Sequence, residues 1–179
     1  MERIPVYIMR GLPGSGKSTF AKRLQLILSD IGFNVIYLSR DEIREQLAKQ
    51  RGVPYDQTFS EGLNNLVTHR WRIALWNTFD IIKIPRKAII IDTKFTSEMD
   101  IIDILDCHCH LKVNNEYSTY EDWVASKQFK VRIVEFPEVL NNNHRNVNDK
   151  KMKEFRHEFI TNREIILSYL SEKNIIYVK

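Results

Sequence analysis

The stretch "RGLPGSGKSTF", residues 10–20, directly follows the apolar run "PVYIM". It contains Gly11, four further residues, then Gly16, Lys17 and Ser18, the G-x-x-x-x-G-K-[ST] phosphate-loop pattern in a strand-to-helix setting. Each residue type has a physical reason to be there. Gly11, Gly14 and Gly16 permit backbone angles that side chains forbid, so successive N–H groups can turn inward around a phosphate. The helix that begins near Lys17 aims the positive end of its dipole at the same anion. Lys17 is expected to reach the β- and γ-phosphates, and the Ser18 hydroxyl to hold a magnesium ion bridging them. Pro13, Ser15 and Thr19 complete the loop, with Thr19 near the α-phosphate. The pattern therefore predicts a nucleoside-triphosphate site, with ATP and Mg2+ as the expected ligands.

Outward from this loop, strand and helix patterns alternate. "VYIMR" (6–10) reads as a first strand, apolar throughout as a strand buried on both faces should be. A helix follows with Phe20, Leu24, Ile27 and Leu28 on one stripe, stopped by Gly32. "NVIYLS" (34–39) is a second strand and "RDEIREQLAKQR" (40–51) a charged helix. "VPYDQTF" reads as a loop before a long helix over about 60–79. "KAIIIDT" (87–93) is the third strand, and helices are expected near 97–106 and 119–127. "FKVRIVEF" (129–136) is the fourth strand, 149–173 a helix or a broken pair, and "IIYVK" a last strand. This order predicts an α/β P-loop NTPase fold: a parallel sheet of about five strands sandwiched by helices, in a single domain spanning 1–179 with a small helical lid.

The 179 residues, 43% of them apolar, suffice for a sizeable core. Twenty-seven basic against 23 acidic residues give a formal charge of +4, a mild bias toward anionic partners such as nucleic acid. The two cysteines, 107 and 109, are too close for a structural staple. With no signal-like opening and no apolar run of membrane-spanning length, a cytoplasmic protein without membrane association is the expectation. Composition says nothing of oligomeric state.

Two further features carry chemistry. "SRDEIRE" sets Arg40, Asp41 and Arg44 at the end of the second strand, and ligands of parallel α/β sheets bind at the carboxyl ends of strands. A carboxylate there could take the proton of an attacking hydroxyl. Arg44, three residues on, shares the helical face and could fork onto a substrate phosphate or align the carboxylate. A charged first turn, with Asp41 favouring the helix dipole, explains the same pattern. The apolar strand "AIII" ends in Asp92, where nucleoside-triphosphate enzymes carry an acidic residue that binds magnesium directly or through water. A helix cap is its competing role.

In order, these blocks resemble the kinase domain of bacteriophage polynucleotide 5′-kinases. "GLPGSGKSTFAKRL" looks like that family's phosphate loop, and "SRDEIREQL" like its Arg-Asp-x-x-Arg segment. "AIIIDTKF" is similar to its Ile-x-Asp-Thr-Asn strand end, and "FKVRIVEFPEVLNNNHR" to its later strand and lid. The resemblance implies transfer of the γ-phosphate of ATP to the 5′-hydroxyl of DNA or RNA, in nucleic-acid repair. It assigns Asp41 as general base, Arg44 to the substrate's 3′-phosphate and Arg145 as a transition-state arginine from a lid over about 141–149. Lys94 stands where the family prefers asparagine, Asn141 replaces the first lid arginine, "NVND" is shorter than the family's lid end, and 95–117 looks inserted. No Asp-x-Asp-Gly-Thr occurs, so no phosphatase half is expected. A kinase for another hydroxyl, on a nucleotide, a small molecule or a hydroxymethylated base, would share every catalytic residue. A nucleotide-dependent switch would need no hydroxyl-activating carboxylate.

Other conspicuous residues read plainly. "CHCH" (107–110) lacks the paired Cys-x-x-Cys spacing of zinc sites, and a strand edge with both cysteines inward explains it. Phe59, Leu63, Leu66, Val67, Arg70, Trp71, Ala74 and Thr78 recur at helical spacing, as a helix packed on the sheet requires. Trp71 and Trp76 are candidates for stacking on a base. His69, His144 and His157 read as surface residues. The run Lys150, Lys151, Lys153 and Arg156 is a solvated face or a phosphate-backbone contact.

Overall fold

The chain's strands are apolar because most have neighbours on both sides and helices above and below. The computed structural model describes residues 3–80, 85–109, 129–136 and 149–178. Strand β1 (Ile4–Gly11) lies at the centre of a five-stranded parallel sheet. It pairs with β3 (Lys87–Asp92) on one side and β4 (Phe129–Phe136) on the other. Strands β2 (Asn34–Ser39) and β5 (Ile175–Tyr177) form the edges, giving the order β2-β3-β1-β4-β5. The register sets Met9 and Ser39 opposite Asp92, and Gly11 opposite Phe136, so the carboxyl ends align along one rim. The chain runs from β1 outward to β2 on one side and later passes from β3 across β1 to β4 on the other, so the order switches beside β1, and the rim there is where such folds hold ligands.

Six helices follow in chain order among the described residues: α1 (Lys17–Asp30), α2 (Arg40–Arg51), α3 (Glu61–Asp80), α4 (Glu98–Cys109), α5 (Asp149–Thr161) and α6 (Arg163–Tyr169). Alternation along the strands divides the core. Val6, Ile8, Ile89, Ile91, Val131 and Ile133 face α3, α4 and α6, whereas Met9, Ile90, Val134 and Phe136 face α1.

The structure refines several expectations. Against the sheet α1 buries Ala21 and Leu28, while Ile27 is exposed and Phe20 rests edge-on against Phe136, so only part of the anticipated stripe is the packed one. A small residue at Ala21 lets the helix lie close to the strands. "VPYDQTF" is not irregular: Tyr55–Phe59 form a 3-10 turn. The strand-edge reading of "CHCH" is corrected, because α4 continues helically through Cys109, with Ile101 and Ile104 buried at helical spacing. His110 and the helix anticipated near 119–127 lie outside the described residues. The carboxyl-terminal region is the broken pair, α5 and α6 parting at Asn162. Trp71, as a candidate for base stacking, is also corrected: it is buried with Val67, Leu75 and Phe79 in the α3 core stripe, whereas Trp76 is exposed. No helix among the described residues is long and apolar enough to cross a membrane.

Lys87, at the start of β3, is only 2% exposed, and its ammonium donates to the Thr78 carbonyl in the last turns of α3. Burial lowers this amine from 10.5 to about 8. Between those values the unfolded chain holds a proton that the folded chain has released, so stability rises with pH. Lys17, lowered to about 8 by burial, acts in the same direction. The urea midpoint is expected to increase between about pH 8 and pH 10, and Lys87→Met to reduce that increase. An identical pH slope in the variant would show that Lys87 stays charged in the fold.

Candidate active site

At the end of β1 the backbone turns into a loop of unusual geometry. Gly14 and Gly16 have φ of 80° and 86°, in the left-handed region that side chains disfavour. Gly11 is required for space: an added Cβ would lie 2.8 Å from the Phe136 carbonyl oxygen and 2.9 Å from Ser15 Oγ. Its N–H donates to the Lys94 carbonyl at 3.2 Å, which ties the loop to the end of β3. The Ser15 N–H and the Lys17 ammonium both donate to the Leu12 carbonyl, at 3.2 Å and 2.8 Å, closing the loop on itself.

The loop suits an oxyanion. No side chain caps the start of α1, whose N-cap is Gly16. Ser15 Oγ is buried and has no hydrogen-bond partner among the described residues. A polar atom in that condition costs free energy unless a ligand meets it. Ser18 and Thr19 are exposed at the first turn, and Pro13 and Gly14 are half-buried on the loop. Lys17 is buried, which favours loss of its proton, while Asp92 and then Asp41 oppose that loss. A phosphate beside it would hold it charged.

Lys17 is thus the point where the sequence-marked residues converge, with both carboxylates acting on its charge. Asp92 is buried at the tip of β3 and accepts a hydrogen bond from the Tyr37 hydroxyl at 2.7 Å. Burial, then Asp92, drives the Tyr37 phenol up, so it stays a donor. Asp41 is exposed in the first turn of α2, which Ser39 caps by accepting the Glu42 N–H at 3.3 Å. The Tyr55 hydroxyl donates to Asp41 Oδ1 at 3.1 Å. No group of three or more His, Cys, Asp or Glu side chains comes together among the described residues. A magnesium ion held by Ser18 and Asp92 would therefore be completed by phosphate oxygens and water, its usual company in nucleotide sites.

The two arginines of α2 have protein partners. Arg40 donates to Asp100 Oδ1 at 2.7 Å and to Thr68 Oγ1 at 2.9 Å, joining α2 to α4 and α3. Arg44 is buried: it donates to the Thr58 carbonyl at 2.8 Å and to Asn64 Oδ1 at 2.9 Å, with the Phe59 ring 4.0 Å away. In this arrangement it holds the 3-10 turn that carries Tyr55. Arg145 and the anticipated lid at 141–149 lie outside the described residues, apart from the backbone of Asp149. His69 and His157 are exposed, as are Lys150, Lys151, Lys153 and Arg156. Sequence reasoning overlooked Tyr37 and Tyr55. Their roles emerge only from strand register and from the folding of 55–59 over α2, and no local motif signals either.

A parallel five-stranded sheet, a glycine-lined loop at the end of its central strand and two acidic residues beside the loop lysine define a P-loop nucleotide-binding protein of the kinase-like type. Residues 6–101 match a family described as an AAA domain, and the chain belongs to that P-loop kinase-like family. No curated protein matches it in sequence. Among solved structures it is similar to APE1195, 14% identical with a TM-score of 0.50, over 100% of this chain and 86% of that one. It is also similar to a candidate kinase from Chloroflexus aurantiacus, 12% identical with a TM-score of 0.52, over 99% of this chain and 86% of that one. These likenesses are of fold. The family match reaches the kinase-like class and stops short of the phage polynucleotide kinases.

Gly11→Ala is expected to cost about 1–3 kcal/mol of stability by overpacking and to weaken ATP binding at least about tenfold. Melting and calorimetric titration check this, and wild-type values in both would mean that the junction relaxes around a methyl group.

Proposed function

We propose that the protein is an ATP-dependent polynucleotide kinase that phosphorylates the 5′-hydroxyl of DNA or RNA. The observation that carries this reading is an exposed carboxylate, Asp41, held by Tyr55 and close enough to the phosphate-loop lysine to act on its charge. A switch has no use for such a group, whereas a transferase needs one to take a proton.

In the proposed reaction the acceptor oxygen forms a bond to the γ-phosphorus as the γ-phosphorus–oxygen bond to ADP breaks. ADP leaves with that electron pair, and the hydroxyl proton passes to Asp41. The transition state is loose, so catalysis is mainly alignment and neutralisation of charge. Lys17 and the N–H groups of residues 14–19 supply the neutralisation on the donor side. Ser18 and Asp92 would hold a magnesium ion, which would supply further positive charge to the triphosphate. The resemblance assigns Arg145 to the transition state, and on that assignment Arg145→Ala is expected to lower turnover about 10³-fold. A change confined to the Michaelis constant would contradict that role.

A second reading, a kinase for a smaller hydroxyl acceptor, is favoured by Arg44. The resemblance gives that arginine to a polynucleotide's 3′-phosphate, and here it is buried among Thr58, Phe59 and Asn64. Labelled ATP with magnesium, offered 5′-hydroxyl oligonucleotides, mononucleotides and modified-base DNA, decides between the two by which acceptor takes the label. Asp41→Asn is expected to reduce transfer about 10²–10⁴-fold while ATP affinity stays near wild type. Undiminished transfer would remove Asp41 from the mechanism.

A further inference from the structure

Lys94 lies two residues beyond Asp92, and its carbonyl oxygen accepts the Gly11 N–H at 3.2 Å, so its backbone is fixed to the first glycine of the phosphate loop. Its ammonium sits 3.6 Å from Glu158 Oε2 and 3.7 Å from the Phe155 ring centroid, both on α5. The same Glu158 oxygen accepts from Thr96 Oγ1 at 3.3 Å. Lys17 and Lys94 repel one another, as do Lys151 and Lys94, and Lys151 stands 5.5 Å from the same Phe155 ring. Asp100 and Glu158 act on Lys94 in the opposite sense, and Lys151 is itself paired with Glu154 at 3.1 Å, so Lys94 is the ammonium that shares the loop's rim with Lys17.

The contrast with the arginines is geometric. Arg40 and Arg44 bond their partners at 2.7–2.9 Å. Lys94 faces Glu158 at more than hydrogen-bond length, and its side chain keeps 27% of its exposure. Asp100 attracts Lys94 from further off, and the one carboxylate oxygen within 4 Å also serves Thr96, which is a weak hold on an ammonium. A phosphoryl group brings about two negative charges and three acceptor oxygens, and charge-assisted bonds of that kind are the stronger ones.

We propose that Lys94 is a second phosphoryl-binding cation of this site, which exchanges Glu158 for a phosphoryl oxygen when substrate is present. The inference rests on the kinase reading in that it expects phosphoryl groups at this rim. Two are available: the γ-phosphoryl of ATP, which has that full charge, and the 3′ phosphodiester of a 5′-terminal nucleotide, which offers one negative charge and two free oxygens. Lys94 would then do for the anion what Arg44, enclosed by protein, does not.

Calorimetric titration of wild type, Lys94→Met and Glu158→Gln with ATP, with ADP, and with thymidine 3′-monophosphate in saturating ADP tests this. If the group is the γ-phosphoryl, Lys94→Met weakens ATP about tenfold and leaves ADP unchanged. If it is the acceptor's, Lys94→Met leaves both nucleotides unchanged and weakens thymidine 3′-monophosphate about tenfold. In either case Glu158→Gln tightens the affected ligand, since it removes the competing carboxylate. Wild-type affinities throughout for Lys94→Met overturn the proposal, and so does an equal loss for ATP and ADP. If Lys94→Met does not fold, Glu158→Gln decides alone, and unchanged or weaker binding of all three ligands overturns it. Should the wild type bind ATP yet label no acceptor, the kinase reading fails by itself while the comparison of ATP with ADP still reads Lys94.

Discussion

The site depends on the absence of a side chain at Gly11. There the end of β1 touches the Phe136 carbonyl of β4 and bonds to the Lys94 carbonyl beyond β3, so three neighbouring strands meet at one backbone position. A Cβ would have to push a strand end aside, and backbone atoms, unlike flexible side-chain tips, yield little. Because the loop leaves the sheet from this junction, its position relative to Asp92 is set by main-chain contacts. The geometry of Lys17 against the two carboxylates is therefore a property of the sheet more than of any one side chain.

Around that junction charge is arranged unevenly. Lys17 is desolvated, bonds the Leu12 carbonyl and feels the charges of Asp92 and Asp41, while Tyr37 supplies Asp92 with a donor that burial keeps protonated. Arg40 and Arg44 serve as braces, tying α2 to α4 and to the 3-10 turn at Tyr55–Phe59. Such bracing suits arginine, whose planar fork can meet a carbonyl and a side chain at once and stack on a ring. The consequence for Asp41 is rigidity, since the turn that Arg44 holds is the one whose Tyr55 reaches the carboxylate.

Much of this was legible in the sequence where the signal was local. Strands buried on both faces announce themselves as unbroken apolar runs, and the β2 and β4 boundaries fall where composition changes. The phosphate loop is a contiguous motif, Asp41 was marked by lying just past the end of one strand and Asp92 by closing another. What escaped depends on distant segments. The Arg40–Asp100 bond spans 60 residues and the Tyr37–Asp92 bond spans 55, so neither leaves a trace in spacing. "CHCH" misled because alternation over four residues fits a strand, whereas the helical period that decides the matter is carried by Ile101 and Ile104 upstream. Trp71 was a stacking candidate by residue type alone, whereas its helical spacing with Val67 and Ala74 already set it on the packed stripe of α3, where the structure buries it.

How α5 is attached bears on how the site can respond to substrate. Its exposed face is broad, with Ile160 72% exposed, and its links to the site are largely polar or cation–aromatic. One residue beyond Glu158, Phe159 meets Arg10, which is 0% exposed, pairs with Glu135 at 2.6 Å, donates to the Phe159 carbonyl and lies 3.9 Å from the Phe159 ring. That buried pair joins β1 to β4, and breaking it would strand a charge at a cost of about 3–5 kcal/mol, so Arg10 is itself fixed and its bond to the Phe159 carbonyl ties α5 to a fixed point. The link through Glu158 to Lys94 and Thr96 is of another kind: longer, partly exposed and shared between two donors. A ligand shifts an equilibrium only through contacts that differ between two states. An anion entering beside Lys94 could replace the Glu158 contact without disturbing the Arg10 anchor, so α5 has one attachment built to persist and one that substrate chemistry can displace.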